Sequence, residues 1–268
     1  MPARQPTVFL PHGGGPCFFM PWNPPDTWTR MGDWLRTLPG QLPEPPRALL
    51  VISAHWEAAE VTVQTHPNPP LIYDYNGFPP HTYALTWPAP GAPALAAKVQ
   101  LRLQAAGIPC RADARRGFDH GVFIPLKLAF PAADLPTVQL SLKAGLDPAT
   151  HLAMGAALQD LRDDGVLIMG SGMSDHNMAR LMAGGTEVDA PSAAFGRWLQ
   201  SAVTAPAADR WQRLLRWTDA PHARDAHPRE EHLLPLHVAV GAAGTAAGRI
   251  AFEATVLGSR QSGFIFGQ

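Results

Sequence analysis

The chain has 268 residues, with 21 Lys plus Arg against 22 Asp plus Glu and a formal net charge of −1. That balance gives no electrostatic drive toward nucleic acid or an anionic membrane surface, and it points to a small-molecule partner. The only two cysteines, Cys17 and Cys110, exclude a disulfide framework or a thiolate zinc site. With no apolar signal region in Met1–Pro6 and no run of membrane-spanning length, the expected compartment is a reducing cytoplasm.

The first predicted strand, Thr7-Val8-Phe9-Leu10, exits into Pro11-His12-Gly13-Gly14-Gly15-Pro16. The glycine run frees the backbone to approach a ligand, and it lacks the spacing of a dinucleotide or phosphate loop. Trp28 to Leu38 carries apolar residues at helical spacing and closes at Pro39-Gly40. Ala48 to Ile52 is a continuous aliphatic run, read as a strand buried on both faces. It leads into Ser53-Ala54-His55-Trp56, which puts His55 just past its carboxyl end, where α/β sheets bind ligands. Val61 to Thr65 reads as another strand.

Pro67 to Pro93 holds eight prolines together with Tyr73, Tyr75, Phe78, Tyr83 and Trp87. It has neither helical nor strand period, and its aromatics argue against disorder. We read it as an ordered wall over a pocket, the alternative being a surface loop pinned by its aromatics. Ala94 to Ala106 is a helix with Leu95, Val99 and Leu103 on one stripe. In Gly117-Phe118-Asp119-His120-Gly121 the flanking glycines place His120 at a turn, with Asp119 set to orient it.

Thr137 to Leu142 is a strand, Thr150 to Asp164 a helix, and Val166 to Met169 a strand, a unit that implies a parallel pair. The last strand exits into Gly170-Ser171-Gly172-Met173-Ser174-Asp175-His176-Asn177, a third buried strand delivering a histidine past its tip. Ser192 to Val203 opens with an N-cap serine and reads as a helix, as does Asp209 to Trp217. Pro228 suits the first turn of a helix that places His232 one turn in. Ala251 to Leu257 and Gly263 to Phe266 are terminal strands. These elements predict one three-layer α/β/α domain over residues 1–268, with a mixed, largely parallel central sheet.

Neutral imidazole is a common ligand for first-row metals, and His12, His55 and His176 converge at strand ends as a ligand set would. Each has a plainer reading. His12 could bond local backbone, His55 could sit in the core beneath Trp56, and His120 could be a turn residue paired with Asp119. His232 read alone is a capping or packing residue. His66, His81, His151, His222 and His237 are given no ligand role, and His227 or His81 could line a pocket.

The motifs around His12, His55 and His120, with Tyr73-Asp74-Tyr75-Asn76-Gly77-Phe78-Pro79 and Pro228-Arg229-Glu230-Glu231-His232-Leu233-Leu234-Pro235-Leu236, come in one order. That order resembles the class III extradiol ring-cleavage dioxygenases, and is similar to their single-chain branch that includes DOPA dioxygenases. The resemblance runs from about residue 7 to the C-terminus. It implies that His12 and His55 are metal ligands, with His232 as the third and Glu231 beside it as the alternative. It makes His176 a further ligand or the base beside the metal, and His120 the acid/base partner. The sequence departs from the family at Gly13-Gly14-Gly15-Pro16, where many members have Gly-Ser-Pro. It departs again at Asp175, which is expected to raise the pKa of His176.

The implied activity is extradiol cleavage of a DOPA-like or related catechol with O2, on one non-haem metal. Fe(II) is expected for activity and Zn(II) as isolated. Tyr75, Phe78 and Trp56 are the expected substrate-pocket residues. A zinc-dependent hydrolase and a non-catalytic binding protein on the same fold are the rival readings, and an oligomer is left open.

Overall fold

Eight strands form one sheet: β1 (Thr7–Pro11), β2 (Ala48–Ala58), β3 (Val61–Gln64), β4 (Cys110–Asp113), β5 (Thr137–Lys143), β6 (Val166–Gly172), β7 (Gly248–Val256) and β8 (Ser259–Phe266). They are seen in a computed structural model that describes residues 2–267. Their order is β4-β3-β5-β2-β6-β1-β8-β7. The central pairs β5–β2, β2–β6 and β6–β1 are parallel, and β8 runs antiparallel between β1 and β7. The sheet is therefore mixed, with a parallel centre, as the sequence predicts.

The helices are α1 (Thr29–Thr37), α2 (Pro93–Ala105), α3 (His120–Ala129), α4 (Pro148–Leu158), α5 (Met178–Ala183), α6 (Ala190–Thr204), α7 (Ala207–Leu215), α8 (Ala223–Ala226) and α9 (Leu234–Ala243). Side-chain alternation sets the layers. Val8, Leu10, Leu49, Val51, Leu167 and Met169 pack on one face, with residues of α1 and α3. Leu50, Ile52 and Ile168 pack on the other, under α2, α4 and α9, while Phe9 joins α6 and α9 nearer the β8 end. A strand whose odd and even residues are both buried needs cover on both faces, which is why these runs read as continuous apolar stretches.

Several boundaries differ from the sequence reading. β2 runs on to Ala58, so His55 lies inside the strand, where its register with β5 shifts between Ile52 and Glu57. β5 and β6 are parallel to a shared neighbour, β2, which lies between them; they do not pair directly. Helix α3 begins at His120 itself rather than after a turn. The N-cap of α6 is Asp189, while Ser192 is buried and accepts the Arg260 amide at 2.8 Å. The last helix starts at Leu234 with Pro235 in its first turn, so Pro228 starts no helix and His232 sits in the turn before α9.

Arg162 ties the ends of these layers together. Its side chain is 2 % exposed and donates to Gln5 O at 2.7 Å, and to Ala242 O and Ala243 O at 2.9 and 3.1 Å. Cationic donors suit the carboxyl end of a helix, here α9. Burial pushes the guanidinium down to about 10, and it stays charged at neutral pH. Arg162→Met is expected to leave these carbonyls unpaired and to lower stability by about 1–3 kcal/mol, read as a reduced urea midpoint.

Candidate metal centre

Strands β2, β6 and β1 are consecutive in the sheet and parallel, so their carboxyl ends lie side by side. His12 follows β1 directly and is 1 % exposed. The glycines after it, Gly13 and Gly15, take φ of 83° and 55°, as the tight exit requires. His55 enters from the irregular part of β2, and His176 from the loop after β6. The turn bearing His232 rests on β6, where its carbonyl accepts the Met173 amide at 3.1 Å. A Cβ on Gly172 would collide with that carbonyl, so the close approach requires a glycine there.

The result is a knot of imidazoles. His12 Nε2 and His55 Nε2 are 3.1 Å apart, and one nitrogen from each of His12, His55 and His232 falls within 4.8 Å of the others. The His120 ring centroid is 3.9 Å from that of His55, and His176 stacks on His232 at 3.4 Å. His176, Glu231 and His232 form a second compact donor group, and His55, Asp74 and His120 a third.

Hydrogen bonds settle which nitrogen carries the proton. Ser171 Oγ donates to Gly121 O, so it can only accept from His12 Nδ1, 3.0 Å away. His12 is then the Nδ1–H tautomer, with its Nε2 lone pair directed at the cluster. His232 Nδ1 donates to Glu231 Oε1 at 2.9 Å, and His120 Nδ1 to Asp74 Oδ1 at 2.8 Å. The other Asp74 oxygen faces His55 Nδ1 at 3.9 Å.

Electrostatics favour the same arrangement. Burial, then neighbouring imidazoles, holds His12 and His232 well below the usual histidine range, and lowers His55 to about 3. For Asp74 and Glu231 burial opposes ionisation, but hydrogen bonds from His120 and His176 outweigh it and both carboxyls are shifted down. Three neutral imidazoles beside two carboxylates leave a local charge of about −2, which a divalent cation balances. Nitrogens sharing one such ion, at bonds of about 2.0–2.1 Å, sit roughly 3–3.5 Å apart, as His12 and His55 do. The residues therefore fit a divalent first-row metal.

The imidazoles open into a cavity of about 770 Å³. Tyr75, Asn76 and Phe78 form part of its wall, so the proline-rich stretch is an ordered cover. The Tyr75 hydroxyl is tied back to Thr82 O at 2.7 Å, and the Tyr75 and His120 rings meet edge to face at 5.8 Å. Trp56 does not line the cavity. Successive strand residues face opposite ways, and with His55 directed inward Trp56 packs under the Arg116 guanidinium, 4.9 Å from its ring. His227 is buried against Phe195 and Trp217, and His81 bonds Phe19 O, so neither lines the cavity.

Two acidic residues act differently from expectation. Asp119 does not hold the His120 ring. It is fully buried, accepting Ser53 Oγ at 2.7 Å, Arg116 Nη2 at 2.7 Å and Gln139 Nε2, and so fastens the start of α3 to β2 and β5. Asp175 does not pair with His176. Arg180 Nη1 binds both of its oxygens, at 2.9 and 3.0 Å, and Glu231 faces His176 Nδ1 instead, at 3.5 Å. Sequence reasoning assigned no role to Asp74 or Ser171. Asp74 did carry a signal, as the lone formal charge between Pro67 and Pro93.

The chain matches the family described as the catalytic LigB subunit of aromatic ring-opening dioxygenase over residues 24–263, a stretch that begins after His12. It is 42% identical over 200 residues to a 4,5-DOPA dioxygenase extradiol of Beta vulgaris, covering 74% of each chain. It is 38% identical over 257 residues to the dioxygenase tasH of Hapsidospora irregularis, covering 89% of this chain and 78% of that one. A 4,5-DOPA dioxygenase extradiol of Escherichia coli is 34% identical over 248 residues, covering 90% and 86%. The crystal structure of an uncharacterized protein from Escherichia coli K12 superposes with a TM-score of 0.80 at 30% identity, over 98% of this chain and 100% of that one.

Ser171→Ala removes the acceptor that fixes the His12 tautomer without touching a ring. Zn(II) affinity, measured by chelator competition, is expected to fall about 10–100-fold while the circular dichroism spectrum stays unchanged.

Proposed function

The chain belongs to the family of catalytic LigB subunits of aromatic ring-opening dioxygenases, and from that membership we propose which residues carry the reaction and on what ring. It is an extradiol ring-cleavage dioxygenase, a non-haem metal enzyme that takes an aromatic substrate and O2. The ring we assign is a catechol, the diol that DOPA, named for several relatives, carries.

In this reading His12, His55 and His232 hold the metal, with Glu231 orienting His232 rather than replacing it. The observation that carries it is the convergence of those three imidazole nitrogens within 4.8 Å, with Nδ1 of His12 and of His232 bonded outward. Fe(II) is the active metal, and Zn(II) is expected in protein purified in air, because nitrogen sites bind zinc more tightly. A bound Fe(II) supplies the redox chemistry by which O2 reacts with a spin-paired ring, chemistry that Zn(II) lacks.

The other imidazoles move protons. His176 takes the catechol hydroxyl proton at Nε2, and Glu231 opposite its Nδ1 steadies the resulting charge. Asp74 holds His120 through Nδ1, so His120 Nε2 is free to take up the second catechol hydroxyl proton and to return it as the O–O bond breaks. Tyr75 and Phe78 cover the ring and exclude water. A single sheet with shared core layers supports reading residues 1–268 as one catalytic domain. The unpaired, buried Cys17 and Cys110 support a reducing cytoplasm.

Anaerobic loading with Fe(II), followed by O2 uptake on mixing with catechols, tests this reading. Uptake with a ring-cleaved product is expected with Fe(II) and none with Zn(II); equal uptake with both metals would overturn it. His120→Ala is expected to keep its metal while kcat falls about 10²–10⁴-fold, measured on the Fe(II) form with metal analysis alongside. Metal loss in that variant would move His120 into the ligand set.

A further inference from the structure

The lining of the cavity carries information about what is attached to the ring, an inference that rests on the catechol reading above. At about 770 Å³ the cavity matches pockets for drug-sized ligands, far more than one diol ring fills. Beyond the imidazoles its wall includes Trp22, Trp28, Phe78, Leu181, Met182 and Leu257. Among the described residues no lysine or arginine lines it.

The cations nearby are already engaged. Arg180 precedes the lining residue Leu181, but its guanidinium is bonded to Asp175 at 2.9 Å, Asp189 at 2.9 Å and Asp225 at 2.6 Å. Arg229 pairs with Glu57 and, at 3.4 Å, with Glu231. A carboxylate on the substrate's tail would lose its water against this wall without gaining a counter-ion. An apolar chain has no such cost and gains contact with indole and thioether surface. The mouth also holds Met178 and Met182, 52% and 80% exposed, whose unbranched side chains adapt to tails of different length.

We propose that the substrate is a catechol bearing an uncharged, apolar substituent, alkyl or aryl, in preference to an acid or amino-acid side chain. The substrate's diol end would face the imidazoles and its tail the Trp, Leu and Met wall.

The test compares catechol, 4-methylcatechol, 4-butylcatechol, 3,4-dihydroxyphenylacetate, L-DOPA and dopamine on the Fe(II)-loaded full chain. Steady-state O2 uptake is paired with anaerobic Kd values from tryptophan quenching. kcat/KM is expected to rise about fourfold per added methylene, and 4-butylcatechol to exceed both carboxylate substrates by about tenfold or more. Preference for either carboxylate, or for dopamine through its ammonium, would overturn the proposal. Met178→Arg places a cation on the exposed rim. It is expected to raise kcat/KM for 3,4-dihydroxyphenylacetate about tenfold without helping 4-butylcatechol, and no change for the acid would overturn the assignment of that wall. Absence of O2 uptake with every catechol would overturn the ring-cleavage reading instead. The Kd series would then still decide the substituent, an apolar preference supporting it and a charged one sinking it.

Discussion

Imidazole rings packed at centroid separations of 3.4 to 5.4 Å cannot all be charged, and much of this molecule is arranged around that limit. Burial removes the option of protonating His12, His55 and His232, and hydrogen bonding decides which nitrogen of a ring stays bare. Ser171, Glu231 and Asp74 each take an Nδ1–H from outside the cluster, and lone pairs are left facing inward. Such a cluster is costly without a cation and well matched to one, which is how histidine-rich metal sites reach useful affinity.

The second requirement is rigidity in the elements that bring the rings. Parallel β2, β6 and β1 deliver their ends to one edge, and the shift in β2 redirects His55 into the gap. Asp119 locks β2, β5 and the first turn of α3 together from beneath, so the strand bearing His55 and the helix bearing His120 share one anchor. On the far side Arg180 gathers three carboxylates and fixes the short α5 that borders the cavity. These charges serve the scaffold, and the cavity wall is left apolar as a consequence.

Much of this was legible in the sequence. Aliphatic runs ending in Gly-rich exits marked β1, β2 and β6, because two-sided burial leaves a continuous apolar signature. The histidines at those exits were legible for the same reason. What escaped was set by tertiary contact. The length of β2 past His55 depends on pairing with β5, which polar residues such as Ser53 and Glu57 do not announce. The partner of His120 came from forty-six positions away rather than next door, and the partner of His176 was Glu231 rather than Asp175. Adjacency in sequence is weak evidence for an ion pair at a strand end, since neighbouring side chains leave in different directions. Pro228 and Pro235 both suit a helix start, and only packing of the His232 turn on β6 selected the second.

The spread of the three converging imidazoles along the chain has a consequence for biosynthesis. His12 and His55 lie in the first quarter of the polypeptide, and His232 lies beyond most of it, followed by α9 and the β7–β8 hairpin whose β8 pairs with β1. A growing chain on the ribosome cannot bring these three imidazoles together until nearly all of it has been made.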